Sequence, residues 1–235
     1  MSLDYHQLSK SSLQSALSGP SQRGVQPPLY KDCGIAERMS LPRDYTRGGM
    51  AFEEVVRRRR SVREYSPRPL TLDQLSGLLD LSYGITEPSR ERRASASAGA
   101  QYPLEIYPVV ADVEGLVRGV YHYHPRDHSM DMIKGGDFRS SLLTDTGGQD
   151  MVLGAGVVLV ITAIFQRTRR KYKDRAYRYV LLDAGHLGQS LNLAATALGL
   201  GACVMGAFLD DQVNRLVQVD GEDEAALFLV SVGTT

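Results

Sequence analysis

Tryptophan is absent from this 235-residue chain, and cysteine occurs only at Cys33 and Cys203. Two thiols are too few for a disulfide scaffold or a multi-cysteine zinc site, so a reducing compartment is the default. Net charge is missing as well, with 27 Lys and Arg against 27 Asp and Glu. That balance argues against a nucleic-acid binder working through bulk positive charge. The longest apolar run, residues 151–165, falls short of the ~20 residues of an ordinary membrane span. The opening MSLDYHQLSK lacks the charged-then-apolar order of a secretion signal, and a cytoplasmic protein is expected. Hydrophobic residues at 43% and charged residues at 23% exclude disorder throughout.

What is present is strongly patterned. Thirteen of the 27 basic residues fall in two windows, 57–68 and 167–178, while acidic residues gather late, from Asp210 to Glu224. Such basic segments on a neutral chain fit either a local anion site or a solvated helix face. Residues 1–50 are punctuated by Ser, Pro and Gly, and are expected to form an arm over a body spanning 51–235. Phe52, Val55 and Val56 have helical spacing. A second helix opens at Thr71, where Gln74 completes a capping box, and closes at Gly84. Strands are expected at 104–113, near an edge or bulge because of Pro108, at 119–124 and at 129–133. Residues 152–165 suit a buried central strand. Residues 179–198 predict a helix apolar nearly all round and buried. A short strand and turn at 202–208, an Asp-capped helix at 210–217 and a last strand at 227–232 complete an α+β pattern with a mixed sheet flanked by helices.

Several groups can carry chemistry. Arg59, Arg60, Ser61 and Arg63 make a phosphate clamp, since guanidinium donors match phosphate oxygens in pairs. Residues 95–101, SASAGAQ, form a small-residue loop whose backbone can approach a flat or charged ligand, or an ordinary flexible loop. His122, His124 and His128 have the elements of a zinc site, but solvent-facing strand residues are the simpler expectation. His186 is expected to be a buried structural histidine and Cys203 a small buried hydrophobe. Lys171-Tyr172 suits proton transfer, although spacing alone favours a surface helix.

Taken in order, these segments resemble the FMN-dependent nitroreductase superfamily, and within it the SagB-type dehydrogenases. Residues 59–63 resemble the Arg-Arg-Ser-x-Arg flavin motif. Residues 97–105 resemble the Pro-Ser-Ala-Gly-x-x-Tyr-Pro-Leu-Glu motif, with Ala96 in place of its Pro. Residues 119–123 resemble the Gly-x-Tyr-x-Tyr hairpin. Lys171-Tyr172, Arg175 to Tyr179 and Leu182 to His186 resemble the subgroup's central block, and 199–208 its late flavin-contacting turn. Residues 5–10 and 29–31 resemble its leader region. The resemblance implies an intertwined homodimer with FMN at the subunit interface. Arg59, Arg60, Ser61 and Arg63 would hold the phosphate and ribityl chain. Ser97, Gly99 and Gln101 would approach from the partner's side, and Gly206 with Ala207 would lie near the reactive edge of the ring. Lys171 and Tyr172 match a pair used in catalysis. The implied reaction oxidises peptide thiazolines or oxazolines to azoles in the maturation of ribosomal peptides, with a separate cyclodehydratase as partner. The family's basic residue past the last strand has no counterpart in Gly233-Thr234-Thr235. An NAD(P)H-dependent nitro or quinone reductase and a non-catalytic scaffold remain the alternatives.

Overall fold

Apolar, largely β-branched residues give the molecule its central strand, and the remaining elements are arranged around it. The computed structural model describes residues 27–35, 38–46 and 48–235; the leader-like stretch 5–10 lies outside them. Strand β1 (Met39–Ser40) is followed by helices α1 (Phe52–Arg58) and α2 (Leu72–Tyr83), then by the small hairpin β2 (Ile85–Glu87) and β3 (Arg92–Arg93). Strands β4 (Leu104–Val110), β5 (Gly119–His124) and β6 (Ser129–Gly135) lead to helices α3 (Arg139–Asp145) and α4 (Met151–Gly154). Then come β7 (Val157–Ile164), α5 (Phe165–Tyr172), α6 (Ala176–Ala197), β8 (Leu200–Met205), α7 (Asp210–Leu216) and β9 (Glu224–Thr234). The seven-stranded sheet runs β1-β6-β5-β4-β7-β9-β8. Its ladders are antiparallel, and among the described residues parallel pairing is confined to the isolated bridges Ser61–Ala202 and Leu70–Val113.

Alternation along the strands divides the core in two. Leu104, Ile106, Leu159 and Ile161 pack with Leu75, Leu78 and Leu79 of α2 and Val180, Leu187 and Leu191 of α6. Tyr107, Val109, Val158 and Val160 face the other way, against Leu142, Met151, Val152, Val213 and Leu216. Each such side chain contributes about 1.5–3 kcal/mol by leaving water. The Thr71–Gln74 capping box forms as expected, with Thr71 N donating to Gln74 Oε1 at 3.0 Å and Gln74 N to Thr71 Oγ1 at 3.1 Å.

Five expectations need correction. The strand through Pro108 is internal; β5 pairs with it only at Val109 and Val110, so the residue lacking an N–H sits where that ladder stops. Residues 151–154 form a helical turn, and the strand starts at Val157 after Gly156, whose backbone packs on Asp112 O and Leu70. Helix α6 buries one face only, leaving Leu181, Leu182 and His186 exposed. The cap position of α7 is Leu209, without a side-chain cap from Asp210. His122, His124 and His128 are buried, at 1%, 3% and 1% exposure.

His122 and His124 belong to a polar chain under residues 28–35 and Arg38. His122 Nε2 meets Glu105 Oε2 at 2.8 Å, and His124 Nε2 meets Asp131 Oδ2 at 2.6 Å. Arg167 of α5, 2% exposed, donates Nη1 to Glu105 Oε1 at 2.6 Å and to Tyr102 O at 3.0 Å, and Nε to Pro28 O at 2.9 Å. Lys31 neutralises the buried Glu224 at 2.6 Å, and Tyr107 and Thr162 donate to the same carboxylate. Glu105 and Glu224 thus each meet a cation inside the protein. Burial pushes the Glu105 carboxyl up, but Arg167 and His122 outweigh it and bring it down to about 2 from 4.5. Burial pulls the His122 ring down, but Cys33 and Glu105 outweigh it and raise it to about 9 from 6.5.

The signs of these shifts define a stability profile. The Glu105 contribution is complete above about pH 4.5 and is lost as pH falls to about 2; the His122 contribution is complete below about 6.5 and is lost as pH rises through about 9. Urea denaturation across pH should show the acid limb in the parent chain and a flattened one in Glu105→Gln. Arg167→Met should cost about 3–5 kcal/mol, because it leaves Glu105 buried without its cation.

Candidate functional site

The sequence-predicted residues fall into two groups on different elements. The first is built on the loop before β4. Ser97 Oγ donates to Asp183 Oδ2 at 2.6 Å, Ala98 N donates to Asp183 Oδ1 at 3.0 Å, and Ser97 Oγ accepts from Tyr102 N at 2.9 Å. Gln101 Nε2 closes the loop onto Gly99 O at 2.8 Å. Ser95 Oγ ties the loop's start to Ser82 O at 2.7 Å and Ser190 Oγ at 2.9 Å. Gly99, Ala100 and Tyr102 have φ of +59°, +55° and +43°. For residues other than Gly this region costs about 1–2 kcal/mol each, so the anchors hold a strained backbone.

Lys171 and Tyr172 close over this loop from the end of α5. A Cβ added to Gly99 would overlap both Lys171 Nζ and Tyr172 Oη. The amine lies 3.5 Å from Gly99 O and 5.4 Å from the centre of the Tyr172 ring. The Tyr172 ring leans on Tyr179 at 4.6 Å between centroids. Lys171 is exposed and Tyr172 half-buried, so both polar ends are close together and open to a ligand. The next residue, Lys173, has φ of +52° and breaks the helix there.

The second group lies against β8. Ser61 bridges Ala202, Val62 N donates to Ala202 O at 2.9 Å, and the Val62 side chain packs on Gly201. Tyr65 holds the far side, its hydroxyl shared among Val62 O and the backbone and side chain of Ser231, while burial pushes it up to about 12. This leaves Arg60, Ser61 and Arg63 exposed and Arg59 half-buried. Arg60 Nη1 donates to Arg57 O and Arg59 O, and no ion pair among the described residues engages Arg59, Arg60 or Arg63. Gly206 and Ala207 are exposed just beyond β8; Ala207 O accepts from Gln149 Nε2 at 2.8 Å, and among the described residues no atom outside Gly206 and its chain neighbours lies within 4 Å of a Cβ built on it. Unpaired guanidiniums, an exposed hydroxyl and an open glycine backbone fit the phosphate and the ring edge of a flavin nucleotide. No hydrogen bond among the described residues joins the two groups.

Sequence reasoning missed three residues that build the first group. Arg167 was counted within a basic helix face, yet it is buried and ties α5 to the loop through Tyr102 O. Arg93 stacks on Tyr83, Tyr102 and Tyr30, and its N–H donates to the Tyr102 hydroxyl. Asp183 was noted only within a motif. A carboxylate inside an otherwise apolar helix was the available signal, because burial demands a partner.

The model of the family described as "Nitroreductase family" matches residues 56–234. A Methanocaldococcus jannaschii protein named as a nitroreductase is 42% identical over 77% of this chain and 90% of its own length. The microcin B17-processing protein McbC of Escherichia coli is 28% identical over 70% of this chain and 62% of its own. Among solved structures, a protein of Anabaena variabilis named as a nitroreductase superposes with a TM-score of 0.79 at 30% identity, covering 98% of this chain and 46% of its own. This chain therefore spans about half the length of the Anabaena protein. A Desulfovibrio desulfuricans structure described as a complex with FMN shares the fold at 19% identity, with a TM-score of 0.55, over 78% of this chain and 86% of its own.

The two glycines should respond differently to a methyl group. Gly99→Ala should destabilise the chain by about 1–2 kcal/mol in thermal or urea unfolding, through its left-handed backbone, and push Lys171 and Tyr172 aside. Gly206→Ala should leave stability within about 0.5 kcal/mol, since its methyl meets open space.

Proposed function

The chain belongs to the nitroreductase family, and on that premise we propose that it is an FMN-dependent oxidoreductase of SagB type. It would dehydrogenate thiazolines or oxazolines in a peptide to the aromatic azoles during maturation of a ribosomal peptide product. The observation that carries this reading is the seat that Gly99 provides for the Lys171 amine and the Tyr172 hydroxyl. The relationship to a microcin-processing protein supports the substrate class.

When bound, FMN supplies the two-electron acceptor for the hydride. The chain's own residues supply binding, orientation and proton transfer. Arg59, Arg60 and Arg63 offer guanidinium donors to the phosphate, and Ser61 a hydroxyl to the ribityl chain. Gly206 and Ala207 would offer backbone to the ring edge. Ser97, Gly99 and Gln101 would form the opposing surface. Lys171 or Tyr172 takes the proton that the azoline ring releases as it becomes aromatic.

The site is proposed to be completed in a homodimer. Leu181 and Leu182 on α6, Phe52 and Val56 on α1, and Val204 are 41–68% exposed, an apolar face suited to a second copy. A separate cyclodehydratase supplying the azoline is the proposed partner, and the cytoplasm the proposed location. Among the described residues no helix is long and apolar enough to cross a membrane.

One relative favours a second reading. The 42% identical Methanocaldococcus protein carries the name of a nitroreductase, which suits an NAD(P)H-dependent reductase of nitro or quinone compounds. Lys171→Ala separates the two. The purified protein should show oxidised-flavin absorption, released by heat as FMN, and the variant should keep it. Azoline oxidation by the variant should fall by about 10²–10⁴, the range for a lost general base, while nitro reduction persists. Undiminished azoline oxidation removes Lys171 from the mechanism. Protein that neither carries nor takes up FMN overturns the flavin reading in favour of a scaffold.

A further inference from the structure

Glu105, Asp131, Asp183 and Glu224 are the buried carboxylates among the described residues. Three face a cation: Arg167 for Glu105, Arg38 for Asp131 and Lys31 for Glu224. Asp183, 2% exposed, forms no ion pair among the described residues, and its hydrogen-bond donors are neutral. An unpaired buried carboxylate is a costly way to fill a helix position that an apolar side chain would occupy without penalty. What it obtains is the loop: Ser97 Oγ and Ala98 N donate to its two oxygens, and Ser97 passes the constraint to Tyr102 N at 2.9 Å. Burial pushes the Asp183 carboxyl above the usual range, and the Ser97 and Ala98 donors, with the nearby His186, oppose that push.

The segment held in this way contains Gly99, Ala100 and Tyr102, all with positive φ. Its backbone would relax if the anchor were lost. Gly99 is also the surface on which Lys171 Nζ and Tyr172 Oη rest. We propose that Asp183 is a positioning residue: its carboxylate, by holding Ser97 and Ala98, fixes the Gly99 backbone as the seat of the Lys171 amine and the Tyr172 hydroxyl. The role of that pair in proton transfer rests on the function proposed above; the mechanical link from Asp183 to the loop does not.

The test uses the full chain as purified, with Asp183→Asn, Asp183→Ala and Ser97→Ala as variants. Hydrogen exchange followed by mass spectrometry reads the loop without substrate or turnover. Exchange in a peptide covering 97–102 should rise by about tenfold or more in both Asp183 variants, the expected effect of losing a charge-assisted hydrogen bond, while β7 stays protected. Adding Ser97→Ala to Asp183→Ala should change little further, because both act through one linkage. Asp183→Asn keeps the helix packing if Asp183→Ala does not fold. FMN affinity, read by flavin fluorescence, should fall, and kcat for azoline oxidation should fall about tenfold or more with KM nearly unchanged. Loop exchange at the parent rate in Asp183→Asn overturns the proposal. So does faster exchange spread equally over β7 and β9, which marks a residue of general structural importance only. If the parent chain takes up no FMN, the proposed function fails, and the exchange comparison still decides the role of Asp183.

Discussion

The contact between Arg167 and Glu105 is the constraint on which the rest of the arrangement depends. Arg167 lies one helical turn before Lys171 on α5, so fixing its guanidinium fixes the rotation of the helix that presents Lys171 and Tyr172. The same guanidinium reaches Tyr102 O at the end of the strained loop and Pro28 O on the segment lying over the polar chain. One buried cation thereby joins three parts of the chain that are far apart in sequence: α5, the loop entering β4, and Pro28. Its net contribution to stability is modest, since removing two charges from water offsets much of their attraction. Its yield is geometric, because a guanidinium with three directed hydrogen bonds has little freedom left.

Strain is concentrated where the proposed chemistry would occur. Gly99, Ala100, Tyr102 and Lys173 all have positive φ, on the two segments that meet at Lys171 and Tyr172. A free peptide would leave these conformations. They persist because Asp183, Arg93 and Arg167 grip the loop from three sides with buried groups. Pre-organisation of this kind holds reacting groups at a set separation before the ligand arrives.

Local signals made much of the fold legible. The Thr71–Gln74 box gave the start of α2, Gly84 gave its end, and the apolar run gave β7. These features are encoded within one turn or one strand. Features set by distant contacts were not accessible in that way. Pro108 suggested an edge, and only the pairing partners show that the β5 ladder stops beside it. His122 and His124 alternate with apolar residues as solvent-facing ones would, and only the buried carboxylates of Glu105 and Asp131 explain their burial. Arg167 sat among solvated cations in sequence, and its inward direction depends on β4 lying beneath it. For the site, the motifs named the loop, the clamp and the Lys-Tyr pair. The geometry adds that loop and pair touch within one chain while the Arg59 to Arg63 clamp stands elsewhere, on β8.

That separation bears on how one scaffold could serve opposite reactions. A reductase needs a bound flavin and a substrate stacked over it, and the proton its product requires can come from water. A dehydrogenase forming an aromatic ring must remove a proton from carbon as the hydride departs, which water at neutral pH does poorly. It needs a base set close to the substrate carbon. The proposed clamp and the open glycine backbone would serve either chemistry equally. Only the second chemistry gives a reason to hold an amine and a hydroxyl against a glycine in a strained loop, anchored by a buried carboxylate that forms no ion pair among the described residues. The residues that separate the two readings are therefore those of the loop seat, apart from the proposed clamp at Arg59 to Arg63.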